Sequence, residues 1–503
     1  MCVFNNIMKK IIYILIMVSF IFCYADVRYD ELNKKAKDGD QDAQYSLARL
    51  YFTGYGIQKD YNKSFALTKE LADKKNPKGI HLLAIHFMLG CGTEQNTAMA
   101  IKLFEEASKL GNLNSTIGLA NMYLNGYKNL PKDYKKAYIL YSEIEKIPLQ
   151  EIERKGGMKE DVGDVYSNLG VMYLEGLYVD RDVVKAIDLL ERSFALGSDI
   201  AANNLGSIYY SDKYGVNNYK KSREWFEIAA KQKNKQAIYS LATLYIDGKG
   251  VEKDLRKGLE YLYEGAALKS ERCIEKIEEV AAGGDPEGEL MLGKMYYYGK
   301  GYEKDYKKAF EYFNKAEEHG SAEAKFMKGM MYQLGDYVSS DEDKALEYYE
   351  GSLNGGYKKA LVGIIDIYYT YREDYKRVEE LLEKYKGELE KLKDNTTRYM
   401  LGSLYAEGNV KQDLEKAKKY LLESAEDGFE YSQLALMYLY AKYMPKQDRN
   451  YSKAYYWYLM AKERGDEIEE DDNEFAKNIK KSLTAEEIKR IEKEVSEKIK
   501  SNK

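Results

Sequence analysis

Histidine, cysteine, proline and tryptophan are scarce in this 503-residue chain, at 3, 4, 5 and 2 residues. Three histidines leave little for zinc ligation or imidazole acid–base work. Five prolines exclude collagen-like and PPII-rich architectures and favour long runs of helix. Basic excess is missing too: 78 Lys and Arg face 83 Asp and Glu, a net charge of −5. No nucleic-acid partner is therefore expected. The one long apolar run, residues 11–22, is too short to cross a bilayer, so no transmembrane span is expected in the mature chain. What the chain has in abundance is tyrosine, 50 residues or one in ten.

The apolar run follows Lys9 and Lys10 and leads to Ala25, a small residue ahead of Asp26. Residues 1–25 are expected to be a signal peptide, with Met8 an alternative start. The chain is then exported, to the periplasm or the extracellular space, and its Lys, Ile, Asn and Tyr bias points to a bacterial source. Cys2 and Cys23 leave with that segment. Cys91 and Cys273 are too few for a disulfide framework and are expected to be unpaired, partly buried thiols.

A repeat organises most of the remainder. An aromatic residue recurs at Tyr51, Phe87, Tyr123, Tyr173, Tyr209, Tyr245, Tyr296, Tyr332, Tyr368, Tyr405 and Tyr438, with most spacings near 36 residues. Gly follows three residues later in eight of these eleven units, the exceptions being Asp212, Tyr371 and Ala441. Three residues before it stands a small residue in ten units, Ile365 being the exception, and Leu usually precedes that. These offsets share one helical face and define a helix A closed by its Gly.

Asp or Asn then appears in all eleven units, at 60, 96, 133, 182, 218, 254, 305, 341, 374, 413 and 450. Such residues cap helix N-termini. Four residues on is usually Ala. Seven on is a large apolar residue, such as Leu103, Trp225, Tyr312 or Tyr348; eleven on is often a small one. Offsets 4, 7 and 11 define the buried face of a helix B. Two amphipathic helices of about a dozen residues are marginal alone and stack into an array. The spacing thus replaces the several-domain expectation from length with one repeat domain.

The pattern Leu-Gly-x-x-Tyr-x-x-Gly-x-Gly-Val-x-x-Asp-x-x-x-Ala resembles the Sel1-like repeat, a relative of the tetratricopeptide repeat. Leu292, Gly293, Tyr296, Gly299, Gly301, Asp305 and Ala309 form a near-complete copy. The resemblance implies an all-α fold, a right-handed α/α superhelical solenoid of about eleven repeats, and a role in protein–protein binding. The expected domains are the signal peptide, an N-terminal half-repeat cap at 26–40 and the solenoid at 41–465. Insertions lie near 147–162 and 270–284. An acidic linker and a C-terminal capping helix fill 466–503, where Thr484 and Glu487 spell a capping box.

Catalytic motifs do not emerge. His81 and His86 are five apart and begin no HExxH, and His319 sits at a helix-B terminus. There is no P-loop, Gly-x-Ser-x-Gly, Ser-x-x-Lys or Lys-Thr-Gly. No enzyme activity and no cofactor or metal are expected. The expected function is a monomeric interaction scaffold of the bacterial envelope or secreted fraction, binding a protein or peptide on its concave surface. The alternative is a hydrolase of envelope glycans or β-lactams, as the Sel1-like resemblance allows. The candidate partner contacts stand two residues before the aromatic, where identity varies while the register is fixed: Arg49, Ile85, Asn121, Ser207, Thr243, Lys294, Met330, Asp366 and Ser403. Val171 and Leu436 complete the set.

Overall fold

Eleven caps decide where the helices B begin. Each Asp or Asn named above accepts the backbone N–H of the third residue after it, at 2.8–3.0 Å. This satisfies one of the otherwise orphan amides of the first turn. The structure, a computed structural model, describes residues 29–127, 130–154, 158–463 and 468–501. The expected signal peptide lies outside them. The described residues form an all-α solenoid with no strand, and the chain divides into two bodies, Met1–Tyr261 and Leu262–Lys503.

In the first body, residues 29–37 form a helix ahead of the first pair, Gln41–Thr53 and Tyr61–Asp73. Each helix A packs on its own helix B, and each B on the next A. The pairs continue to Lys235–Asp247 and the start of Leu255–Ala267. The residues inserted near 147–162 include a short helix, Leu149–Arg154, and extend the next helix A to Lys159–Glu175. Ile152 and Val162, each 1% exposed, join the same core as Phe104 and Tyr141. Cys91 is half-buried, and in the second body Cys273 is buried.

The second body inserts the helix Glu271–Ala282 before the pair Pro286–Tyr298 and Tyr306–Glu318. It ends in Glu470–Lys481 and Ala485–Ser501, whose Ile479, Ile491 and Val495 share an apolar cluster with Tyr455 and Tyr458. The stretch read as a solvated linker is helical from Glu470 onward. Glu470, Asp471 and Asp472 occupy its first turn, where the helix dipole favours negative charge, and Ala476 anchors it in the core. Thr484 and Glu487 exchange the reciprocal bonds of a capping box, at 2.8 and 3.2 Å.

Two details differ from expectation. The deepest helix-B place is eight residues after the cap, not seven. Phe104, Tyr141, Leu190, Phe226, Phe313, Tyr349 and Leu421 hold it, all at most 3% exposed. At about 100° per residue, offsets 4, 8 and 11 lie within about 60° of one another, and offset 7 is at the edge. There Tyr261, Tyr312, Tyr348 and Tyr420 stack near-parallel on their own helix-A tyrosines, centroids 5.4–6.2 Å apart. The small helix-A residue faces offset 8: a Cβ on Gly206, Gly293, Gly329 or Gly402 would lie under 3.0 Å from Phe226, Phe313, Tyr349 or Leu421.

The second difference is the register of the last unit. In the first ten units the cap N–H donates to the carbonyl of the helix-A aromatic, at 2.8–3.0 Å. Asn450 donates instead to Tyr440, at 3.0 Å, so Tyr440 and not Tyr438 is the anchor. The helix Glu430–Tyr438 runs into a π-turn, Leu439–Tyr443. A π-turn adds a residue to the helix and rotates the residues beyond it. Leu436 thereby falls in the core, fully buried, and Tyr438 takes the place two before the anchor. The ninth unit also ends in a π-turn, Ile367–Tyr371. Both lack the glycine that closes helices such as Pro286–Tyr298, where Gly299, at φ 69°, donates to Met295.

Two stability results are expected. Asp305→Ala removes the bond to the Lys308 amide and lowers stability by about 1 kcal/mol, read as a lower urea midpoint; an unchanged midpoint refutes the cap. The cap bonds also hold the carboxyls of Asp60, Asp341 and Asp413 below the ordinary carboxylate range, backbone N–H donation being the main cause. A depressed folded pKa contributes stability above the unfolded pKa, and it is lost as pH falls through the folded one. The thermal midpoint should fall on acidification below about pH 4, and less steeply in the triple Asp→Asn variant at those caps.

Candidate interaction site

Ten of the eleven third residues after the cap are Lys or Arg. Each places its cation over the ring of its unit's anchor tyrosine, 4.1–5.9 Å from the centroid. Met99 and Phe87 replace the pair in the second unit. The cap aligns the lysine above the ring, so the anchor tyrosines are engaged within the repeat. Their signal in the sequence was a Lys recurring three after the cap, which was missed.

The candidate contact residues stand in several environments. Arg49 and Ser207 are exposed; Arg49 lies 5.9 Å over Tyr45, and Ser207 donates to the carbonyl of Asn203. Thr243 likewise donates within its helix, to Ser240. Asn121 accepts from the buried Tyr141 hydroxyl at 2.5 Å and from Asn168 at 3.0 Å. Lys294 pairs with the buried Glu323 at 2.5 Å. Asp366 accepts from Gln333 at 2.6 Å and Thr370 at 3.1 Å. Ile85 and Met330 are half-buried against apolar clusters. Ser403 lines a large cavity.

That cavity, about 970 Å³, lies in the second body between Asn395–Glu407, the Glu430–Tyr443 segment and Glu470–Lys481. Helix A contributes rows spaced by four: Tyr399, Ser403 and Glu407 on one, Leu434, Tyr438 and Lys442 on the next. Tyr431, Tyr443, Glu430, Ile468, Glu469 and Asp472 complete most of the wall. Tyr438 stacks on Phe475 at 4.6 Å and donates to Asp472 at 2.7 Å. Burial, and then the Asp472 carboxylate, push its phenol well above the ordinary tyrosine range. Burial also raises Tyr399 and Tyr443. Lys442 lies 5.9 and 5.3 Å over Tyr438 and Tyr443. The walls thus offer protonated phenols, aromatic faces and carboxylate acceptors. Tyr399 and Glu407 were legible as the four-residue row through Ser403. Tyr438 was hidden by the π-turn.

The histidines are used structurally. His86 is fully buried, with Nε2 2.8 Å from Ser64 Oγ and Nδ1 2.5 Å from the Cys91 carbonyl. Burial lowers its pKa and takes that of His81 down to about 4. His319 bonds the buried Glu289 at 2.7 Å. Among the described residues no three His, Cys, Asp or Glu gather as a metal-ion site, and no helix is long and apolar enough to cross a membrane.

The Sel1 repeat model matches ten stretches, from 41–76 to 431–466. The chain belongs to the Sel1 repeat family. The Sel1 matches pass over residues 357–397, yet the structure forms a helix pair there, Ala360–Asp366 and Tyr375–Lys384. Solved structures similar to this Sel1 chain include a protective antigen of uropathogenic Escherichia coli displaying an SLR fold. It is 22% identical, with 92% of each chain covered and a TM-score of 0.41. A Sel1 repeat protein from Oxalobacter formigenes is 21% identical over 74% of this chain and 90% of its own, TM-score 0.31. An immunity protein from Pseudomonas aeruginosa is 20% identical over 48% and 81%, TM-score 0.27. Sel1 repeats typically serve as protein-interaction scaffolds.

Proposed function

We propose that this Sel1 repeat protein is a non-catalytic scaffold, exported to the bacterial envelope or beyond, that binds a protein or peptide along its helix-A faces. The carrying observation is the 970 Å³ cavity, open between neighbouring helices A and walled by tyrosines and carboxylates. Repeat arrays use such surfaces for extended partners. The export reading is supported by Lys9, Lys10, the apolar run and Ala25.

The test is a pull-down from envelope extract on the immobilised mature chain. One dominant partner, lost when a competing peptide from that partner is added, is the expected result. Turnover of nitrocefin or peptidoglycan by the purified chain would overturn the reading. Export is checked separately by fusing residues 1–30 to alkaline phosphatase. Phosphatase activity is expected, and an inactive fusion would count against export.

A further inference from the structure

We infer that the cavity between residues 395–443 and 468–475 is a receptor for an arginine side chain carried by the partner. This rests on the scaffold reading and names the chemistry of what the scaffold holds.

Charge comes first. Among the described residues that line the cavity are the carboxylates of Glu407, Glu469 and Asp472 and the ammonium of Lys442. Elsewhere the repeat supplies its own cations: ten anchor tyrosines are covered by the Lys or Arg after the cap, and Asp60, Asp341 and Asp413 pair with that same lysine. In the cavity the pattern breaks. Among the described residues, Glu407, Glu469 and Asp472 make no ion pair; Glu407 accepts from the Tyr369 hydroxyl and Asp472 from that of Tyr438. The π-turn is the local cause. It moves the anchor to Tyr440, and Lys453 goes with it, 5.4 Å over that ring. Tyr438 is left to face the cavity.

Shape and rings then select the cation. The volume falls within the range of about 300–1,000 Å³ usual for ligand sites. Tyr431 is 61% exposed, with its ring centroid 5.9 Å from that of Tyr399. A planar guanidinium stacks on such faces while its fork donates to carboxylates on either side; a compact, strongly hydrated ammonium does this less well. The occupant is therefore an arginine on an extended segment, since the cavity opens along rows of neighbouring helices A.

The full mature chain is titrated by fluorescence anisotropy into a labelled dodecapeptide repeating Gly-Ser-Arg-Gly. The counterparts carry lysine or the neutral isostere citrulline. The arginine peptide should bind at least about tenfold tighter than the citrulline one, with lysine between. Glu469→Gln with Asp472→Asn should weaken it about tenfold, and Tyr431→Ala about threefold to fivefold. Glu303→Gln, Glu311→Gln and Glu318→Gln together remove a similar charge from exposed sites elsewhere and should change binding less than about twofold. Equal binding of arginine and citrulline peptides, or an equal loss in the distant variant, overturns the assignment. A protein partner captured alike by wild type and Glu469→Gln/Asp472→Asn leaves the scaffold reading standing and removes the arginine site. Failure of capture by both, with arginine-selective peptide binding intact, removes the scaffold reading instead.

Discussion

Phe313→Ala should destabilise the second body by about 3–5 kcal/mol. Phe313 is fully buried, eight residues after the Asp305 cap and between Ala309 and Ala316 on the inner face. Its ring fills the space that Gly293 leaves by having no Cβ; an added Cβ would lie under 3.0 Å from the ring. Truncation removes the transfer free energy of the ring and opens a cavity that rigid helix backbones fill only in part. The same geometry makes a second variant informative. Gly293→Ala alone overpacks the site and should cost about 1–3 kcal/mol. Placed on Phe313→Ala it should cost less, because its methyl enters the vacated space. Urea midpoints of the two singles and the double measure this. Strict additivity would show that the two positions do not meet.

Glu317→Ala should cost about 3 kcal/mol, far more than an exposed ion pair is worth. Its partner Lys328 has a side chain only 7% exposed, with Nζ 2.6 Å from Glu317. The ammonium is enclosed by rings, 5.2 Å from Phe310 and 4.4 Å from Tyr348. Removing the carboxylate leaves a buried cation with ring faces and no anion. Burial lowers the pKa of Lys328, but Glu317 and Tyr348 together outweigh it and the net shift is upward. A raised folded pKa contributes stability that is complete below the unfolded value, about 10.5, and is lost as pH rises through the folded one. The wild-type thermal midpoint should therefore drop at strongly alkaline pH. In Glu317→Ala that drop should shrink. Equal midpoints for the two proteins at neutral pH would show that the pair contributes nothing.

Sequence reasoning reached the helices because their signals are local. A cap such as Asp305 acts on an amide three residues away, and Gly299 acts within its own turn, so both are written in the chain where they operate. Variability at a fixed register singled out Ser403 together with ten other positions, and the structure sets Ser403 in the wall of a cavity. Sequence reasoning missed the lysines above the tyrosines, such as Lys308 over Tyr296, because periodicity counts apolar residues and a cation over a ring is neither core nor ordinary surface.

Composition and spacing alone established the all-α repeat and the starts of all eleven helices B. Each rests on hydrogen bonds between near neighbours or on a period that any one unit repeats. Packing in three dimensions settled the rest. It chose offset 8 over offset 7, since the two differ by about 100° around the helix and only the approach of Gly293 to Phe313 says which points inward. It moved the last anchor from Tyr438 to Tyr440, because a π-turn changes the register without changing the residue types. And it brought Ser403, Tyr438 and Glu469 around one cavity from three separate segments, a proximity that spacing along the chain does not encode.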